Sequence, residues 1–273
     1  MFAGEFAVVT GGSNGIGLAC AEALAARGAH VALIARDSGR LDRAKEVVRA
    51  ARANGAQRVV VMSADLSDLD ATRAAFGALT ADRFVPDILI NSAGVILPGE
   101  FATMPFEHLE QNMASGYWGV VNPCRAAVPG MIDRGHGHIV NVSSVAGFLG
   151  IYGYTGYAAA KHAVLGFTEA LRFELRPHGI GVSVVLPPDT DTSALEAERA
   201  MRPPETEAIA GTIKPISAAR VADAVIRGIE RDRFHIIPDA RSRFYFRLKG
   251  LLPELFFWIV DADIRKARRV RHG

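Results

Sequence analysis

Cysteine is nearly absent: the 273 residues contain two, Cys20 and Cys124. Each lies inside an apolar helical pattern, and two cysteines give neither a disulfide framework nor a metal-ligand spacing, as expected in a reducing compartment. Long apolar runs are missing too. None reaches the roughly 18–20 residues of a membrane-spanning helix, and the first apolar stretch runs straight into a glycine-rich turn rather than a signal-peptide cleavage site. A cytoplasmic protein is therefore expected. A net charge of +2 offers no broad basic surface for nucleic acid. What positive charge there is sits at the end: Arg265, Lys266, Arg268, Arg269 and Arg271 follow the last acid, Asp263, so the remainder is net negative. With 49% hydrophobic and 22% charged residues, the composition is that of a globular protein with a substantial core. Residues 1–250 are expected to form one domain, with 251–273 as an apolar, then basic, extension.

Strands and helices alternate through residue 186 with no linker or repeat. Phe6-Ala-Val-Val-Thr10 reads as a buried strand, followed by Gly11-Gly12-Ser13-Asn14-Gly15-Ile16-Gly17 and a helical pattern ending at Gly28. Strand, glycine-rich turn and helix together aim free backbone N–H groups and a helix dipole at a phosphate. A second strand, residues 30–35, stops at Arg36. In a dinucleotide fold that strand ends beside the adenosine ribose, where an acid accepts from the 2′-OH and a base pairs with a 2′-phosphate. Arg36 favours NADP(H); Asp37, next to it, is the competing acceptor. Further strands at 58–62, 87–91, 138–142 and 180–186 end in Ala64-Asp65-Leu66, Asn91-Ser92-Ala93-Gly94, Ser143-Ser144 and Pro187-Pro188-Asp189-Thr190-Asp191-Thr192. Helices are expected over 40–53, over about 105–134 without interruption, and up to about 176. The pattern predicts one parallel α/β sheet, doubly wound, with helices on both faces and every motif on one edge.

The helix after Ser144 begins Tyr154-Thr-Gly-Tyr157-Ala-Ala-Ala-Lys161. Tyr157 and Lys161 are four residues apart and share a face. A phenol with a pKa of about 10 is a poor proton donor or acceptor at neutral pH; a neighbouring ammonium draws it toward the working range of a general acid/base. Tyr154 also lies on the lysine face, so spacing alone does not choose between the two tyrosines.

Gly11-x3-Gly15-x-Gly17, Asn91-Ser92-Ala93-Gly94, Ser144 and Tyr157-x3-Lys161 occur in the order and spacing of the short-chain dehydrogenase/reductase family, which residues 6 to about 190 resemble. The resemblance implies a Rossmann sheet of about seven strands binding NAD(P)(H), a homo-oligomer, and Tyr157 as the general acid/base. It also implies Ser144 as the hydroxyl polarising a carbonyl and Lys161 as the residue that tunes the tyrosine and holds the nicotinamide ribose. The cofactor would further be met by Gly11, Ser13, Asn14, Gly15, Ile16, Gly17, Arg36, Asp65 and Leu66. Asn91 would face its adenosine side, with Ala93, Gly94, Pro187, Thr190 and Thr192 completing the set, Thr192 at the carboxamide. One departure stands out. The family usually has Asn three residues before the glycine that is Gly119 here; this chain has Gly116, and Asn112 one turn upstream either compensates or, the reading favoured by its type, caps or faces solvent.

Ile151 to Tyr157, the turn Leu186 to Thr192 and Arg202-Pro-Pro-Glu-Thr206 resemble the 3-ketodihydrosphingosine reductase branch of that family. On that resemblance the substrate is a long-chain 3-keto amino alcohol, a lipid-like ketone reduced with NADPH, and Asp189 or Asp191 could meet its ammonium; helix N-capping is the competing role for Asp191. A steroid, acyl or xenobiotic ketone, and an NADP(H)-binding protein without chemistry, remain alternatives. The apolar run Leu251 to Val260 is too short to span a bilayer. With the basic tail it reads either as an interfacial membrane anchor or as a core or oligomer helix.

Overall fold

A computed structural model describes residues 2–210 and 214–272, with side chains up to residue 207 and across 214–266. Six parallel strands form in the expected places: β1 Phe6–Thr10, β2 His30–Ala35, β3 Val59–Ser63, β4 Ile88–Asn91, β5 Gly137–Val142 and β6 Ile180–Val185. A later two-residue strand, His235–Ile236, joins the far edge beside β6. The sheet order β3-β2-β1-β4-β5-β6 followed by that last strand is the Rossmann order, with the reversal between β1 and β4 where open α/β sheets bind ligands.

Period-two alternation builds both faces of the sheet. Val9, Val31, Leu33 and Ile90 point to one side, where they pack against Cys20 and Leu24 of α1 (Gly15–Ala25), Leu41 and Val48 of α2 (Ser38–Ala50) and Val221 and Val225 of a later helix, Ala218–Glu230. Val8, Ile34, Leu89 and Ile139 point to the other, against Phe76 and Leu79 of α3 (Leu69–Ala81) and against Cys124 and Met131. Each such side chain contributes about 1.5–3 kcal/mol when fully buried, which fixes the strand register.

The helix expected over about 105–134 is not continuous. It forms as α4 (Phe106–Met113), a π turn over Ala114–Trp118 and α5 (Gly119–Arg134). Ser115 accounts for the break: its hydroxyl donates back to the Gln111 carbonyl at 2.8 Å and accepts the Val95 N–H at 3.2 Å, so a side chain enters the ladder. The next helix, α6 (Thr155–Leu175), carries the tyrosines and the lysine. After β6 the chain forms β7 (Thr190–Asp191), α7 (Ser193–Arg199), α8 (Pro204–Ala210), β8 (Ile216–Ser217), α9 (Ala218–Glu230), β9 (His235–Ile236), α10 (Ala240–Leu251) and α11 (Pro253–His272). Phe256 and Val260 of α11 pack against Phe148, Leu149 and Leu186. Arg268, Arg269 and Arg271 lie outside the residues whose side chains are described. Among the described residues, no helix is long and apolar enough to cross a membrane.

Candidate active site

The β1–α1 turn is pressed against the turn after β4. Gly11 has φ of +63°, and a Cβ there would lie 2.7 Å from the backbone of Ser92 and Ala93. A Cβ on Gly17 would meet the Gly11 carbonyl at 2.4 Å, so its glycine serves the tightness of the turn, and Gly17 does not line the cavity. Asn14 caps α1, its carbonyl accepting the Gly15 N–H at 2.7 Å. Ser13, Asn14, Gly15 and Ile16 thereby present a helix N-terminus to the cavity, the arrangement that suits a pyrophosphate.

Arg36 is exposed and faces the same cavity at the end of β2. Asp37 has other work: its carboxylate caps α2, accepting the Arg40 N–H at 2.9 Å, and pairs with the Arg40 guanidinium. That leaves Arg36 as the residue best suited to a ribose substituent. Asp65 accepts from both the Ser67 N–H and its hydroxyl. Burial pushes its carboxyl up, but the Ser67 bonds and the Arg36 charge hold it below its ordinary value. Leu66, Ala93 and Gly94 line the cavity beside it. Asn91 does not. It is fully buried, donating to the Asn141 side chain at 2.9 Å and accepting from the Thr10 hydroxyl, so it ties β1, β4 and β5 together beneath the cavity floor.

Ser144 follows β5, its oxygen accepting the Ala146 N–H at 3.1 Å, and its hydroxyl lies near enough to the Tyr157 phenol to lower its pKa. Lys161 Nζ lies 5.7 Å from the Tyr157 ring centre and donates to the Val142 carbonyl at 3.1 Å. All three residues line the cavity. Burial lowers Lys161 to about 8. Burial also raises Tyr157; the nearby Ser144 hydroxyl pulls it down, while Glu198 and Asp189 push it further up. Burial is the largest of these influences, so Tyr157 holds its proton here. A protonated phenol beside a serine hydroxyl is a proton donor.

Tyr154 is engaged elsewhere: its hydroxyl donates to Glu198, and burial raises this phenol too. Past β6, Pro187, Thr190 and Thr192 line the cavity. Thr192, not Asp191, caps α7, accepting the Leu195 N–H; Asp191 is exposed. Asp189 is engaged with Arg202 at 2.8 Å. Glu198 escaped the sequence reasoning altogether. Its only signal was the i,i+4 spacing to Arg202, which on most helices marks a solvated pair, yet both side chains here are buried.

The cavity has a volume of about 1400 Å³ and extends from the glycine turn past Tyr157 to Leu149, Ile151, Tyr245, Phe256 and Ile259 under α10 and α11. Its two ends suit a nucleotide and an apolar chain. Among the described residues, no group of three or more His, Cys, Asp or Glu could hold a metal.

Residues 5–203 match the family model described as short chain dehydrogenase. The 3-dehydrosphinganine reductase of Danio rerio is 36% identical over 232 residues, 85% of this chain and 70% of that protein. A short-chain dehydrogenase from Sphingobium yanoikuyae in complex with NADPH is 30% identical with a TM-score of 0.76, covering 91% of this chain and 93% of its own. A short-chain dehydrogenase/reductase from Burkholderia phymatum in complex with NAD is 31% identical with a TM-score of 0.81, covering 93% and 95%.

Proposed function

The chain belongs to the short-chain dehydrogenase/reductase family, and on that premise we propose that it reduces the ketone of a long-chain 3-keto sphingoid base with NADPH. The observation that carries this is one continuous cavity joining a phosphate-suited turn, the Ser144–Tyr157–Lys161 group and an apolar lobe. Structural neighbours carry either NADPH or NAD, so the choice of NADPH rests on Arg36 being available while Asp37 is committed to its cap. Bound cofactor would supply the hydride. Ser144 and Tyr157 place two O–H donors where negative charge develops on the carbonyl oxygen. Tyr157 then gives up its proton there, completing the secondary alcohol. Lys161, anchored on Val142, sets a positive charge beside the phenolate left behind.

The relatives named 3-dehydrosphinganine reductase support the substrate class, as does the apolar lobe. The α10–α11 segment fits the same picture: Phe244, Leu251, Leu252, Phe257 and Trp258 are exposed along it, and α11 also carries Phe256 on the cavity wall and the basic Arg265 and Lys266. A short amphipathic helix of this kind lies in a membrane interface rather than across it, which would bring the cavity to a lipid substrate. NADPH oxidation with 3-ketodihydrosphingosine, against a steroid, an acyl and an aryl ketone, tests the proposal. A preference for the sphingoid ketone of at least about tenfold in kcat/KM, set by what one well-placed recognition contact supplies, is expected. Equal or better turnover of another ketone would overturn the substrate assignment.

A further inference from the structure

Beside Tyr157 the cavity wall holds a charge imbalance that the hydride and proton transfers leave unexplained. Arg202 is buried, its side chain 1% exposed, and it donates to two carboxylates that also line the cavity: Glu198 at 2.7 Å and Asp189 at 2.8 Å. One guanidinium faces two negative groups. Its third partner, Glu207, is half-exposed and adds to the excess instead of relieving it. Lys161, on the cavity wall, is directed to the Val142 carbonyl, and among the described residues no ion pair joins the wall's other cations, Arg36, Arg40, Arg241 and Lys266, to either carboxylate. A buried carboxylate without a full counter-charge is costly, so the arrangement points to a cation that arrives with the ligand.

Position says which part of the ligand that is. The Tyr154 and Tyr157 rings meet edge to face, 5.8 Å apart, and the Tyr154 hydroxyl donates to the same Glu198 oxygen that Arg202 holds. Glu198 is therefore fixed one tyrosine away from the phenol that meets the carbonyl oxygen, next to where a group on the adjacent carbon would lie. Resting on the function proposed above, we infer that Glu198, held by Arg202 and Tyr154 and assisted by Asp189, binds the ammonium on the carbon next to the ketone and selects amino ketones over neutral ones. Burial raises the Glu198 carboxyl, and Arg202 and Tyr154 only partly restore it, so an incoming ammonium would find an acceptor short of counter-charge.

The test compares a long-chain 2-amino-1-hydroxy-3-ketone with the same ketone lacking the amine, in the wild type and in Glu198→Gln. Loss of a hydrogen bond to a charged group is expected to lower the ratio of the two kcat/KM values about tenfold to a hundredfold, chiefly through KM, with the KM for NADPH within about threefold. A ratio that does not change, or equal losses on both ketones, overturns the assignment. Because Glu198→Gln takes a carboxylate away from Arg202, Glu198→Gln/Arg202→Gln is the second variant; it keeps the pair neutral and should show the same drop. Binding of dodecylammonium against dodecanol, followed by intrinsic fluorescence, reads Glu198 without turnover. A wild type that prefers the alkylammonium, with that preference lost in the variant, upholds the site even if the sphingoid ketone proves not to be the substrate. A preference that survives substitution removes it.

Discussion

Lys161 should cost the fold stability, and removing it should show how much. The ammonium is buried, with no carboxylate partner among the described residues, and burial lowers its pKa from 10.5 to about 8. Between those values the unfolded lysine holds a proton that the folded one has released, so stability rises with pH through the window from about 8 to 10.5. Below 8 the full penalty applies, about 3 kcal/mol at 1.36 kcal/mol per pKa unit. Lys161→Met removes it and orphans the Val142 carbonyl, which costs about 1 kcal/mol. The variant should therefore be more stable than the wild type at pH 7 by about 2 kcal/mol, or on the order of 4–8 °C in Tm for a chain of this size. At about pH 10 the difference should be close to zero. Activity should fall at the same time, because the phenolate loses its neighbouring charge. Thermal unfolding by circular dichroism at about pH 7, 8, 9 and 10 measures the stabilities, and NADPH oxidation measures the activity. A variant less stable at pH 7, or a gain that does not shrink as pH rises, refutes the buried-ammonium account.

Tyr157→Phe should lower kcat by about 10²–10⁴-fold, the range for losing a positioned general acid, whereas Tyr154→Phe should keep kcat within about tenfold and lose about 1.5–3 kcal/mol of stability with its bond to Glu198; the reverse pattern in steady-state kinetics would exchange the two roles. Arg36→Ala should raise the KM for NADPH about tenfold to a hundredfold and leave that for NADH within about threefold, as loss of a charge-assisted contact to the 2′-phosphate predicts; equal effects on both cofactors would remove Arg36 from the ribose site. Leu252→Glu/Trp258→Glu should abolish co-flotation of the full chain with anionic liposomes while its NADPH affinity is retained; unchanged partitioning would leave the exposed segment without a lipid partner.

Much of this was legible in the chain because it depends on local order. Alternating apolar strands and the glycine turn carry their own periodicity, and six strands fell within about a residue of where the pattern put them. The seventh, His235–Ile236, is too short for any period to show and exists only because β6 offers it an edge. Ser115 illustrates a second limit. The residue is ordinary in a helix, and only the Val95 N–H arriving from another segment turns it into the cause of a π turn. Glu198 and Arg202 illustrate a third. Their spacing describes an exposed pair as well as a buried one, and burial is decided by what packs over α7. Asp37 and Asp191 show that a cap depends on the one residue at the first turn: Asp37 holds that place in α2, while in α7 Thr192 holds it and Asp191 does not.

Gly116 can now be placed. In the usual family pattern an asparagine at this position helps organise the proton path to the lysine. Here Gly116 is buried in the π turn, and a Cβ on it would come within 3.1 Å of the Ala160 Cβ on α6. That is tighter than ordinary van der Waals contact, so a branched carboxamide at 116 would need the turn and α6 to separate. The glycine and Ala160 together let these elements approach closely, one residue before Lys161. Nor is the loop after β4 left without support. Asn112, expected to cap or face solvent, is fully buried and accepts the Leu97 N–H while donating to the Leu97 carbonyl. Lys161 is anchored independently on Val142. The space at 116 is thus closed by packing against Ala160, while Asn112 holds the loop after β4 and Val142 holds Lys161.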